Sequence, residues 1–168
     1  MGLTIQPLAR THDRSAFSCG QDDLDAWFRR QAGQDERRNV ARVFVAVDDD
    51  LGVVGFYSLG AFSIAITDLP PALADKLPRY DAIPAALIGR LARDARVRGQ
   101  SMGDLLMADA ICRVLEAGTR LGIFAILVDA KDAGAAAFYR AFGFEAFPSR
   151  PDRMFLLTAT ARTALERL

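Results

Sequence analysis

The residues of this chain best suited to chemistry stand in one short basic turn, Arg98-Gly99-Gln100-Ser101-Met102-Gly103. An apolar stretch, residues 85–93, precedes it, and a stretch of helical periodicity, residues 103–120, follows. A strand that ends in a small-residue turn and restarts as a helix is an anion-binding arrangement. First-turn amides of the helix have no intrahelical acceptor, and the helix dipole adds positive potential where they converge. Small residues let phosphate oxygens approach the main chain, and Arg98 adds charge-assisted hydrogen bonds. A pyrophosphate suits such a site. The spacing matches neither a P-loop, which needs a Gly-Lys-Ser/Thr ending, nor a dinucleotide fingerprint. Taken alone, the turn is also compatible with a purely structural strand-to-helix connection.

Other chemistries lack the residues they need. Cys19 and Cys112 form neither metal spacing nor a disulfide framework, and with His12 the only histidine no zinc site is expected. His12 stands far from the turn, and no general base presents itself. The 21 basic and 21 acidic residues balance, so the whole molecule has no general attraction to nucleic acid or membrane. Only Lys76 and Lys131 among the basic residues are lysines; the rest are arginines spread along the chain, which reads first as compositional bias. One local excess exists. Arg29, Arg30, Arg37, Arg38 and Arg42 face only Asp35 and Glu36 within residues 29–42, a cluster able to meet RNA phosphates or to form a solvated, ion-paired helix face. Arg90, Arg93 and Arg96 lie nearer the turn and suit either RNA or structure. The N-terminus has no basic region followed by an apolar run, and no apolar stretch approaches the roughly 20 residues of a membrane span, so a cytoplasmic protein with no membrane contact is expected.

The elements that must position the turn read as follows. Residues 3–8 form an opening strand. A helix over 22–34, capped by Asp22, sets Leu24, Trp27 and Phe28 on one face and Arg29 and Arg30 toward the other. Residues 40–47 and 53–66 alternate as antiparallel strands, with Gly55 and Gly60 as bends. Residues 68–84 carry four prolines and read as a loop with room for a short helix at 72–77. The central strand 85–93, the helix 103–120 and an almost wholly apolar strand at 123–129 come next. A short helix over 133–142 stops at Gly143; strands at 144–147 and 154–158 and a terminal helix over the last ten residues close the chain. Hydrophobic residues make up 51% of 168 residues, which excludes disorder and fits a single domain, without repeats or linkers. The order is that of an α+β fold with helices on both sides of a sheet.

The turn resembles the Arg/Gln-x-x-Gly-x-Gly/Ala motif of the GNAT N-acetyltransferases, with Ser101 where that family usually has glycine. A second block, Asp132-Ala133-Gly134-Ala135-Ala136-Ala137-Phe138-Tyr139-Arg140-Ala141-Phe142-Gly143-Phe144, resembles the family's Asn-x-x-Ala-x-x-Phe-Tyr-x-x-x-Gly-Phe, with Asp132 in place of asparagine. Phe17-Ser18-Cys19-Gly20, Leu24-Asp25-Ala26-Trp27-Phe28, Arg42-Val43-Phe44-Val45-Ala46, Val54-Gly55-Phe56-Tyr57-Ser58-Leu59 and Ile88-Gly89-Arg90-Leu91-Ala92 extend the resemblance to the GNAT toxins of bacterial toxin–antitoxin pairs. The resemblance implies the GNAT (acyl-CoA N-acyltransferase) fold, a mixed, mostly antiparallel central sheet with helices on both faces. It implies acetyl-CoA as cosubstrate, held by Leu91, Ala92 and Arg93 on the strand, by Arg98, Gly99, Gln100, Ser101, Met102, Gly103 and Asp104 at the turn, and by Asp132, Ala135 and Phe138. It makes Tyr139, by itself an ordinary half-buried aromatic, the general acid that protonates the leaving sulfur. It further implies aminoacyl-tRNA as acceptor, with Arg29, Arg30, Arg37, Arg38 and Arg90 as candidate RNA contacts, a ribbon-helix-helix antitoxin as partner, and a homodimer.

The missing base bears on the acceptor. A free α-amino group has a pKa of about 7.7–8.0 and a lysine about 10.4, so only the former is substantially uncharged without help at physiological pH. Two other readings stay open on the sequence: an enzyme of the same fold acting on a small amine, an antibiotic or a protein N-terminus, and a non-catalytic acetyl-CoA-binding or partner-binding module.

Overall fold

A computed structural model describes residues 2–167 of the chain. The strands are β1 (Leu3–Pro7), β2 (Arg42–Asp48), β3 (Gly52–Ala65), β4 (Ala82–Arg93), β5 (Ala125–Asp129), β6 (Glu145–Ala146) and β7 (Arg153–Leu157). The α-helices are α1 (Asp22–Ala26), α2 (Ala32–Arg37), α3 (Pro71–Ala74), α4 (Met102–Ala117), α5 (Ala133–Ala141) and α6 (Thr158–Glu166). The sheet runs β1-β2-β3-β4-β5-β7-β6, and the pairs β1–β2, β2–β3, β5–β7 and β6–β7 are antiparallel. The residues group into two compact units, one of residues up to Gly60 with Ile88–Cys112, the other of Ala61–Leu87 with residues from Arg113 on.

In the first unit, period-two alternation sends Val43, Val45 and Phe56 to one face, where they meet Phe17, Trp27 and Phe28. Phe28 stacks on Phe56 with ring centroids 4.1 Å apart. The opposite face carries Gly55, where a Cβ would lie 3.0 Å from Leu106 Cδ1. Gly55 therefore does not bend β3, as its type suggested; its missing side chain lets α4 sit directly on the strand. Gly60 likewise lies inside an unbroken β3. The irregularity is instead a register shift between Ala46 and Val47 on β2. The Tyr57 hydroxyl, wholly buried, donates to Asp109 Oδ2 at 2.5 Å and ties α4 to β3 from the same side.

The expected helix over 22–34 extends to Arg37 and is interrupted by a π-helical turn, Trp27–Gln31. Asp22 is its first residue rather than its cap: Gln21 stands at the N-cap and makes no side-chain cap bond. Periodicity cannot reveal a π turn, because one wide turn barely alters the apolar spacing.

In the second unit Ile64, Ala85, Leu127 and Phe155 form one core with Leu69 and Phe147, and Leu73 and Leu77 pack against it. Gly143, at φ +99°, ends α5 near Leu156, which points to the other face of β7. Some expected boundaries move. The loop thought to reach Pro84 ends at Asp81, because Pro84 sits inside β4 and its carbonyl accepts from the Phe124 amide. Proline forfeits only the donor, so a strand tolerates it where the carbonyl alone is used. The helix expected to end at Arg120 stops at Ala117. The terminal helix is α6; Leu168, part of that expectation, lies outside the described residues.

Candidate active site

The first unit presents the turn. β4 ends at Leu91, Ala92 and Arg93, with Ala92 turned into the aromatic core. Asp94 follows as a buried carboxylate that caps the 3-10 turn Ala95–Val97. Its Oδ1 accepts from the Arg96 amide at 2.8 Å and Arg96 Nε at 2.9 Å; its Oδ2 accepts from the Ser18 amide at 3.1 Å and from the Arg96 guanidinium at 3.0 Å. Burial pushes the Asp94 carboxyl up, but the bonds from Arg96 and Ser18 outweigh it and leave its pKa below the usual value. Arg96 also reaches the carbonyls of Leu51 and Val53. It fastens the turn to the β2–β3 hairpin and belongs to the structural side of the alternatives the sequence left.

Beyond this clamp the chain changes hand twice, at Gly99 (φ +79°) and Ser101 (φ +59°). Residues 98–101 are exposed and Met102 is buried beneath them. The first helical bond of α4 runs from the Leu105 amide to the Ser101 carbonyl. The amides of Met102, Gly103 and Asp104 are thus its orphan first-turn donors. The residues fit the pyrophosphate of an acetyl-CoA: open main chain at Gly99, free donors at the helix start, and Arg98 exposed beside them.

The second unit presents Tyr139 on α5. Asp132 caps this helix, accepting from the Ala135 amide at 2.8 Å, so the aspartate has an N-cap role that asparagine would fill equally. The Tyr139 ring lies between Phe138 and Phe144, at centroid distances of 5.6 and 5.8 Å. Burial first, then the negative charges of Asp129 and Asp132, push its pKa above the ordinary tyrosine value and keep the phenol protonated. Asp129, the last residue of β5, is held bidentately by Arg153 at 2.7 and 2.9 Å, and that guanidinium lies over the Phe62 ring at 4.7 Å.

The arginines divide. Arg29 donates to the Phe17 carbonyl and lies 4.0 Å from Asp25. Arg90 stacks on the Trp27 ring at 4.1 Å, and this burial lowers its pKa against the opposing charge of Asp35. Arg42 is engaged by Glu36 and Asn39. Arg30, Arg37 and Arg38 are exposed and, among the described residues, carry no carboxylate partner. Sequence reasoning passed over Arg14, which donates to the Phe28 carbonyl and whose pKa is lowered by burial and by Arg37. It lines a depression of roughly 510 Å³ with Arg10, His12 and Arg29. No spacing rule joins residues 10–14 to residue 37; the fold does. His12 accepts from the Ala9 amide at Nδ1 and meets Gln6 through Nε2, so both ring nitrogens are used locally. Among the described residues no His, Cys, Asp or Glu group is placed to hold a metal, and no helix is long and apolar enough to cross a membrane.

Comparison with known proteins agrees with this geometry. The Acetyltransferase (GNAT) domain family matches residues 39–146. The chain is 36% identical over 170 residues to "Probable toxin TacT" of Sinorhizobium fredii (strain NBRC 101917 / NGR234), covering 96% of this chain and 94% of that protein. It is 37% identical over 153 residues to the "tRNA-acetylating toxin" of Mycobacterium tuberculosis (strain ATCC 25618 / H37Rv), covering 91% and 90%. Its fold superposes on the structure of "AtaT complexed with acetyl-methionyl-tRNAfMet" with a TM-score of 0.90 at 26% identity, over 98% of this chain and 99% of that one. With a domain match over more than half its length and two relatives above one-third identity, the chain belongs to the GNAT acetyltransferase family.

Proposed function

We propose that this chain is an acetyl-CoA-dependent N-acetyltransferase that acetylates the α-amino group of aminoacyl-tRNA and thereby stops translation. The observation that carries the cosubstrate is the left-handed, exposed turn at Gly99 and Ser101 opening onto the unpartnered amides of α4. The relatives' tRNA substrates support the acceptor. So does the residue inventory: an α-amine needs no strong base, and none stands in the family's motif blocks.

In this reading the main chain of Leu91, Ala92 and Arg93 aligns the pantetheine arm in the manner of an added strand. Arg98 and the amides from Gly99 to Asp104, with Gln100 and Ser101, hold the pyrophosphate; Asp132, Ala135 and Phe138 complete the cradle. Acetyl-CoA supplies a thioester whose acyl carbon bonds to the amine nitrogen as its carbon–sulfur bond breaks. Main-chain amides of the β4 end offset charge on the carbonyl oxygen. Tyr139 gives its proton to the departing sulfur, and the proton lost by the amine restores the phenol by way of solvent. Arg30, Arg37 and Arg38, which carry no carboxylate partner among the described residues, contact RNA phosphate, whereas Arg29 and Arg90 shape the surface beside them. The whole chain acts as one GNAT domain in the cytoplasm, as a homodimer, neutralised by a ribbon-helix-helix antitoxin. The test is transfer of labelled acetyl from acetyl-CoA to tRNA charged with single amino acids. Label retained on aminoacyl-tRNA and absent from uncharged tRNA is expected; label on neither removes the acceptor assignment.

A further inference from the structure

Asp25 is a buried carboxylate, 5% exposed, that no step of the transfer uses. Its neighbours Asp22 and Asp23 are exposed and already place negative charge at the positive end of α1. Asp25 turns inward instead. Its Oδ1 accepts from the Cys19 amide at 2.9 Å and its Oδ2 from the Ser18 hydroxyl at 3.3 Å. Arg29, on the same helical face, lies 4.0 Å from Oδ2 and donates to the Phe17 carbonyl. Residues 17–19 are thus fixed from α1 on one side.

The pyrophosphate turn fixes them on the other. The Ser18 amide donates to Asp94 Oδ2 at 3.1 Å, and the Ser18 carbonyl accepts from the Ala95 amide at 2.9 Å. Ala95 opens the 3-10 turn, and its own carbonyl accepts from the Arg98 amide at 3.2 Å. An unbroken series of contacts leads from Asp25 through Ser18 and Ala95 to Arg98, where the open main chain begins. Phe17, 1% exposed in the aromatic core, already anchors this segment by burial. Apolar burial is non-directional, whereas hydrogen bonds orient the peptide groups they hold. Keeping a carboxylate buried is costly unless it is well hydrogen-bonded, so two that converge on one exposed serine mark a place where orientation matters.

We propose that Asp25 is a positioning residue for the cosubstrate: acting through Ser18, it holds the Ala95–Val97 turn, and with it Arg98, in the form that receives the pyrophosphate, an inference that rests on the acetyl-CoA reading of the turn.

Calorimetry of acetyl-CoA binding to the full-length protein, well below the melting temperature of every variant, tests this without an acceptor. Asp25→Ala removes both bonds and should weaken binding by about five- to tenfold. Ser18→Ala removes one bond at an exposed position and should weaken it by about two- to threefold; it carries the comparison if Asp25→Ala does not fold. Asp25→Asn is the rescue. Its carbonyl oxygen still accepts from Cys19 and its NH₂ donates to the Ser18 hydroxyl, so affinity should stay within about twofold of wild type. In an Asp94→Asn background, where half of that clamp is already lost, Asp25→Ala should weaken binding by only about twofold more. Folded Asp25→Ala or Ser18→Ala with wild-type affinity overturns the positioning role, as does Asp25→Asn as impaired as Asp25→Ala, or full additivity with Asp94→Asn. Each of these leaves the turn as the cosubstrate site. Failure of the wild type to bind acetyl-CoA overturns both.

Discussion

Replacing Asp94 by asparagine tests how the turn is held. All four partners of the Asp94 carboxylate are donors: the Arg96 amide and Nε on Oδ1, the Ser18 amide and Arg96 guanidinium on Oδ2. An asparagine must aim its own NH₂ at one of these pairs, so two bonds are lost whichever way it turns. Hydrogen bonds to a charged group contribute about 1.5–3 kcal/mol each. The Arg96 side chain is 37% exposed and Ser18 is an exposed residue, so water replaces part of that loss. A destabilisation of roughly 2–4 kcal/mol follows, which for a chain of this size lowers Tm by about 5–15 °C. The pH dependence has a definite sign. Asp94 has a depressed pKa in the folded state, so its contribution is complete above the unfolded value, about 3.9, and fades as pH falls through the folded value. Thermal melts of both proteins between pH 7 and pH 3 read this directly, and calorimetry should show weaker acetyl-CoA binding by the variant. A Tm within about 1 °C of wild type at pH 7, or a gap that widens on acidification, would refute the clamp.

Tyr139→Phe should lower kcat by about a hundredfold or more and leave acetyl-CoA affinity nearly intact; unchanged turnover in single-turnover assays removes the phenol from the mechanism. Because burial, Asp129 and Asp132 raise the Tyr139 pKa above its ordinary value of 10.0, wild-type turnover should show no alkaline fall from this group between about pH 7 and pH 9. Ser101→Gly relieves a left-handed non-glycine residue, a strain of about 1–2 kcal/mol, against about 0.5–1 kcal/mol of added chain entropy. A Tm equal to or slightly above wild type is expected, and a clear loss of acetyl-CoA affinity would show instead that the hydroxyl is a ligand donor. Asp132→Ala removes the α5 cap and should cost about 1 kcal/mol in chemical denaturation, with no change meaning that solvent replaces the bond.

Much of this protein is written locally. The glycine-rich turn, its flanking strand and helix, and the stop at Gly143 follow from side-chain periodicity and from backbone angles that few residues adopt. These are nearest-neighbour properties, and sequence carries them whole. The two motif blocks likewise carry the resemblance that points to acetyl-CoA chemistry. What depended on the third dimension is the fate of residues whose partners lie far along the chain. Nothing in the spacing shows that Arg96 is spent on Asp94, or distinguishes Arg90, stacked on Trp27, from Arg30 and Arg38. Gly55 looked like a bend and is a contact surface for Leu106, fifty-one positions on. The Asp129–Arg153 pair and the Phe62 ring beside it join three separate segments. Charge and burial are settled by what packs alongside, and only folding brings those neighbours together.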